Sequence, residues 1–157
     1  FLKQVERRFK SVAVVAGHPK APIEATRKIF GDVPVEFGST LDLVSQSDVI
    51  VSHSLTAVQW AVLLMKPIIL LSTEELKKTK LDGKVAGIAN ILKLKVVNVT
   101  MENDAQLEHI PKPDRRSYLK YIHDYVKAES SMEESLENIL VANLRELTGV
   151  LHMDWMD

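Results

Sequence analysis

The sequence predicts an α/β protein, a Rossmann-like, doubly wound parallel sheet of about five strands with extra helices toward its C-terminal end. Three observations carry this expectation. The apolar runs at residues 11–16, 48–52 and 67–71 are continuous rather than alternating, which is how strands covered on both faces read. Between them lie segments of helical periodicity, and strand–helix alternation builds a parallel sheet with helices on both faces. The turns after these runs are rich in Gly, Ser, Thr and His, the small and hydrogen-bonding residues suited to the ligand edge of an open parallel sheet.

Residues 2–10 are charged but space Leu2, Val5 and Phe9 as one helical face. A buried strand over 11–16 ends at Gly17, His18, Pro19 and Lys20. Pro22 opens a helix through Phe30, at a position where its missing N–H is harmless, and Gly31 stops it. A short strand over 34–37 follows. Gly38, Ser39 and Thr40 then start a helix to about Gln46, with Ser39 or Thr40 as cap. The next unit is a strand at 48–52, a helix at 55–65 and a strand at 67–71. Ser72 and Glu75 have capping-box spacing for a short helix through Lys78. Residues 85–92 read as helix and 95–99 as the last strand. A loop with Pro111 and Pro113 leads to two C-terminal helices within 115–147, over 115–127 and 132–147, the second stopped by Gly149.

A chain of 157 residues is expected to be one domain with a sizeable core. Its 20 basic and 21 acidic side chains give no electrostatic case for nucleic acid or an anionic membrane surface. Cysteine is absent, which excludes disulfides and thiolate metal sites and is consistent with the cytoplasm. No apolar run approaches the roughly 20 residues of a membrane span. The expected location is therefore cytoplasmic, with a peripheral seat on the inner face of a membrane as the alternative. The chain opens on Phe1 rather than Met, so it is expected to be part of a longer protein.

Four turns are candidates for the chemistry. His18 follows a buried strand and precedes Pro19; it reads as a donor to a phosphate oxygen, with Lys20 adding charge, or simply as a turn cap. Ser39 and Thr40 offer hydroxyls at the next strand end, where capping explains them nearly as well. His53, Ser54 and Thr56 form the strongest group, since three polar side chains at one helix start exceed what capping needs. Free amides and the helix dipole make that turn suited to an anion. Glu74 is a candidate for a ribose hydroxyl, against service in the capping box.

Other residues read as structure. Trp60 is expected in the core rather than as a base-stacking platform. Tyr118, Leu119, Tyr121, Ile122 and Tyr125 read as a packing stripe, and the acidic run from Glu129 as a helical first turn. His109, His123 and His152 lack ligand spacing, so no metal is expected. There is no GxGxxG, no GxxxxGK[ST] and no GxSxG, which removes the standard dinucleotide site, the P-loop and the serine-hydrolase elbow.

Gly17-His18-Pro19, the segment from Gly38 to Asp48, the turn from Ser52 to Thr56, and Lys66-Pro67 together resemble the C-terminal half of GT-B glycosyltransferases. The likeness is to the bacterial surface and capsular polysaccharide type, related to polysialyltransferases and CDP-glycerol polymerases, and spans residues 11–127. The resemblance implies a single GT-B half in which His18, Ser54 and Thr56 hold the phosphate of a nucleotide-sugar donor. Leu55 stands where that family usually has a second serine. It further implies that acceptor groups and the catalytic base come from an N-terminal domain outside this chain, so no residue here is assigned a catalytic role. The donor implied by the resemblance is a nucleoside mono- or diphosphate sugar acting as substrate, with no cofactor and no obligate metal expected. Two other readings stay open: a relative of sugar-nucleotide 2-epimerases, and a non-catalytic Rossmann-like binding or assembly module.

Overall fold

The computed structural model describes residues 1–53, 55–100 and 109–126, apart from the side chain of Leu55. They belong to one compact unit, Phe1–Val126. The helix expected over 132–147 and the C-terminal tail lie outside the described residues. The chain is α/β, with parallel strand pairing throughout: β1 (Val15–Gly17) pairs with β2 (Val35–Phe37), and β3 (Ile50–Ser52), β4 (Ile68–Ser72) and β5 (Val96–Asn98) form a three-stranded sheet in that order. The five strands expected from the sequence are thus present, but in two ladders rather than one.

The three-stranded sheet is covered on both faces, and β4 shows how. Its residues Ile68 and Leu70 point into one core, where they meet Val58, Ala61 and Val62 of α4 (Leu55–Leu63), Leu92 of α5 (Lys80–Leu92) and Tyr118 of α6 (Arg115–Tyr121). Ile69 points the other way, into a smaller cluster with Val97 and with Val5 of α1 (Leu2–Phe9). Strand alternation assigns successive residues to opposite faces, so a strand buried on both sides must be apolar at every position. Each fully buried Ile or Leu contributes roughly 1.5–3 kcal/mol relative to exposure. The opening helix expected from Leu2, Val5 and Phe9 is α1, with Val5 buried.

The remaining elements are α2 (Ile23–Phe30), between β1 and β2, and α3 (Thr40–Gln46), between β2 and β3. Pro22 stands at the N-cap of α2, and Gly31 ends that helix at φ 60°. Several sequence expectations need correction. The strand expected over 11–16 is confined to Val15–Gly17, and Val12 and Val14 are exposed. Ser39 occupies the N-cap position of α3 without a side-chain cap bond, and Thr40 is the first residue of the helix. The short helix after β4 is a 3₁₀ turn, Leu76–Lys78, and its cap is Thr73: the hydroxyl accepts from the Leu76 N–H at 3.0 Å. Helix α5 begins earlier than expected because Thr79 caps it, accepting from the Leu81 N–H.

The helix expected over 115–127 is α-helical only to Tyr121, and Ile122–Val126 continue as a π turn. Of the tyrosine stripe, Tyr118 and Tyr121 are buried, whereas Leu119 and Tyr125 are exposed. The Tyr125 ring stacks on Tyr121 with centroids 5.2 Å apart. Trp60 is not in the core: it is 36% exposed, as Leu63 of α4 and Leu64 of the following turn are exposed. Among the described residues no helix is long and apolar enough to cross a membrane.

Candidate functional site

Each candidate turn follows the C-terminal end of a parallel strand, which is the edge where open α/β sheets receive ligands. The first turn is built by proline. Pro19 fixes the second position of a β-turn closed by the Ala21 N–H donating to the His18 carbonyl at 2.9 Å. The Lys20 N–H donates to His18 Nδ1 at 3.1 Å. With Nδ1 accepting, the neutral ring carries its proton on Nε2, the edge that faces away from its own turn. His18 and Lys20 are both exposed. A second constraint lies just before them. Gly17 is buried against the Phe37 ring, and a methyl group at Gly17 would overlap that ring.

The second turn adjoins the first. Gly17 is paired with Phe37, so His18 and Gly38 are the next positions along the same ladder. Gly38 has φ 90°, and the half-buried Ser39 and Thr40 follow. Helix α3 is tied down at its other end by Lys66, whose ammonium donates to the Ser45 carbonyl at 2.7 Å. A cation at helix-terminal carbonyls is favourable to the dipole. Lys66, which the sequence singles out only as part of Lys66-Pro67, is therefore a structural cation.

The third turn leaves β3 after Ser52, which is 7% exposed. His53 and Thr56 are exposed on either side of the start of α4. Ser54 lies outside the described residues. The strand that feeds this turn is paired with β4 through Ile50–Ile68 and Ser52–Leu70, and Ser72 of β4 extends two residues past the Ser52–Leu70 rung.

The fourth turn differs from its sequence reading. Glu74 Oε1 accepts from Asn98 Nδ2 at 2.5 Å and from Lys77 Nζ at 2.7 Å. The Glu74 N–H donates to Thr100 Oγ1, and the Thr100 N–H donates to Asn98 Oδ1. These bonds close a ring that clamps the end of β4 to the end of β5. The ammonium of Lys77, then the amide of Asn98, holds the Glu74 carboxyl below the usual carboxylate range. Glu75 is held low as well, first by its own backbone and then by Thr73. Ser72, 2% exposed, donates to Asp82 Oδ1 of α5 at 3.3 Å, so it fastens strand to helix. Glu74 is thus engaged with protein partners on its Oε1 edge. The clamp joins residues 24 and 26 apart in sequence, and no local signal announces it.

His18, Lys20, Ser39 and Thr40 belong to the β1–β2 ladder, whereas His53, Thr56 and Glu74 belong to the β3–β4–β5 ladder. Among the described residues no group of three or more His, Asp or Glu side chains is placed to hold a metal ion. The fold and these turns define a parallel α/β protein with polar turns at its strand C-termini. No family model, curated protein or solved structure matches this chain.

Proposed function

We propose that this chain is the donor-binding domain of a glycosyltransferase acting in surface-polysaccharide synthesis, and that it holds the phosphate of a nucleotide sugar at the start of α4. The observation that carries the reading is the accumulation of donor groups at strand C-terminal ends. His18 presents Nε2 from a turn that uses its Nδ1 internally. His53 and Thr56 flank a nine-residue helix whose first N–H groups have no partner within the helix. An anion there gains from unpaired amides and from the dipole together. In a transfer reaction the same donors would stabilise the leaving phosphate, without a metal being required. The acceptor site and the general base would be supplied by another domain, as in the GT-B enzymes that the sequence resembles.

Thermal-shift and calorimetric titration with UDP, CMP, CDP and GDP tests this reading. One nucleotide should raise the melting temperature at millimolar concentration, because a ligand that binds only the folded state stabilises it by mass action. The double substitution His18→Ala with Ser54→Ala should abolish the shift. A shift that survives the double substitution, or silence from all four nucleotides, counts against the phosphate site. The second reading, an assembly module, is favoured by one observation: Trp60 and Leu63 lie exposed on α4, and Leu64 lies exposed just after it. Large apolar side chains grouped on a surface mark interaction faces. Nucleotide silence together with concentration-dependent self-association that Trp60→Ser removes would support that alternative.

A further inference from the structure

We infer that residues 11–37, which carry β1, α2 and β2, form a lobe that opens and closes as a unit while the three-stranded sheet stays folded. In chain order, only Gly17 is buried between residues 6 and 43. Helix α2 buries no residue at all, and Ile23 and Ile29 are 50% and 77% exposed. Val12 and Val14 are exposed too, although they stand in the run that leads into β1. Both apolar cores are assembled from elements outside the lobe.

The ladders divide at the same place. β1 and β2 bond to each other in three-residue strands and form a sheet separate from β3–β4–β5. A two-stranded pair is marginal in water unless something packs on it. Left-handed backbone lies at both ends of the lobe: Lys10 at φ 50° closes α1, and Gly38 at φ 90° precedes α3. Attachment to α1 lies at the start of the lobe, where the Ala13 N–H donates to Glu6 Oε1 at 2.9 Å and the Ser11 N–H to the Glu6 carbonyl at 3.2 Å; further along, the Lys3–Asp32 pair spans 3.9 Å between side chains 74% and 97% exposed, a kind of pair that holds little. Inside the lobe, by contrast, the Phe37 ring lies directly on Gly17 and the two strands are in register. Cohesion within and weak attachment without are the conditions for sub-global opening.

Opening moves His18 and Lys20, which the lobe carries, relative to the three-stranded sheet. On the reading proposed above, the phosphate site would then be complete only in the closed state. Ligand affinity would be reduced by the closed fraction, and ligand binding would in turn favour closure.

Native-state hydrogen exchange on the full chain, followed at individual amides through low denaturant, tests this. The Val15 amide, bonded to the Pro34 carbonyl, and the Gly31 amide, bonded to Arg27, report on the lobe; the Ile50 amide, bonded to Pro67, reports on the sheet. Val15 and Gly31 should share one opening isotherm, with protection at least tenfold below that of Ile50 and a shallower denaturant dependence. All three amides merging in one global isotherm overturns the inference. So does an equal response to a substitution in the core of the sheet: Leu92→Ala should speed exchange at Ile50 at least tenfold and leave Val15 within about twofold, and equal acceleration of both refutes a separate lobe. Inorganic pyrophosphate at millimolar concentration separates this inference from the functional reading. Slower exchange at Val15 supports both. Distinct lobe opening that pyrophosphate leaves unchanged sustains the lobe and counts against the phosphate site.

Discussion

The hydroxyl of Tyr118 donates to the carbonyl of Lys66 at 3.1 Å, joining α6 to the end of α4 across 52 residues of sequence. Tyr118 is fully buried, and its ring fills the larger core beside Ile68 and Leu92. Lys66 at the same time donates its N–H to the Ala61 carbonyl and its ammonium to Ser45. One residue therefore terminates α4, fastens α3 and receives α6.

Tyr118→Phe keeps the ring and removes the bond. A net hydrogen bond is worth about 0.5–1.5 kcal/mol, and denaturant unfolding should show a loss of that size with an unchanged m-value. A loss well above this range would mean that the hydroxyl organises more than the Lys66 carbonyl.

The same tyrosine sets an alkaline limit. Burial pushes its ionisation up from 10.0 to about 12. Between those values the unfolded chain has lost the phenolic proton while the folded chain keeps it, so stability falls as pH rises through that window. The contribution at stake is roughly 3 kcal/mol at most. Unfolding measured from pH 9 to 12 should therefore decline more steeply in the native chain than in Tyr118→Phe.

Asp114 sets an acid limit. It caps α6, accepting from the Arg116 N–H and the Ser117 hydroxyl, and pairs with Lys93 at 3.0 Å. The bond from Lys93, then that from Ser117, holds its carboxyl down at about 2 against an ordinary 3.8. A depressed carboxylate contributes stability above its unfolded value and loses it as pH falls toward the folded one. Melting temperatures should drop between pH 4 and 2. In Asp114→Asn that part of the drop should disappear while the cap is retained. An unchanged acid limb would show that Asp114 does not govern it.

Lys66→Met tests whether the lysine serves the fold or a ligand. The helix-end interaction is worth about 0.3–1 kcal/mol, so a modest stability loss is expected. Any nucleotide affinity should be retained within twofold in calorimetry, because the ammonium is directed to Ser45 and not to the strand-end turns. Loss of binding at full stability would return Lys66 to the candidate site.

Gly17 and Phe37 should behave as a coupled pair. Gly17→Ala forces a methyl group into the ring, and overpacking of this kind typically costs about 1–3 kcal/mol. Phe37→Leu alone should cost less, since Phe37 is only half-buried. In the double variant the space is restored, so the two losses should fail to add, by at least about 0.5 kcal/mol in a double-mutant cycle.

The parts of the fold legible in the sequence are those where local pattern and tertiary context agree. The continuous run Ile68 to Leu71 reads as a doubly covered strand and is one, and the stop at Gly31 follows from its backbone alone. Residues 11–14 read equally apolar, yet they lie outside the ladder, because β2 offers partners only to Val15, Ala16 and Gly17. Pairing length is a property of the partner and cannot be read from one segment. The cap after β4 moved from Ser72 to Thr73 because Ser72 is committed to Asp82 on a helix whose early start the sequence did not signal. Simple alternation of elements is enough to put the turns that hold His18, Thr40, Thr56 and Glu74 at strand ends. No local pattern announces the ring of Glu74, Asn98 and Thr100, since its members meet only when β4 and β5 pair.

Strand β4 also bears on how this sequence can vary. Ile69 and Leu70 are one peptide apart yet serve opposite cores, and on both sides the strand is held in register by its neighbours. Replacing one aliphatic residue by another leaves each layer its own occupant. Losing or gaining a single residue between Ile68 and Ser72 would exchange the occupants of the two layers and slide Ser72 away from Asp82. Lineages descended from this sequence should therefore show β4 drifting freely in spelling while its length never changes.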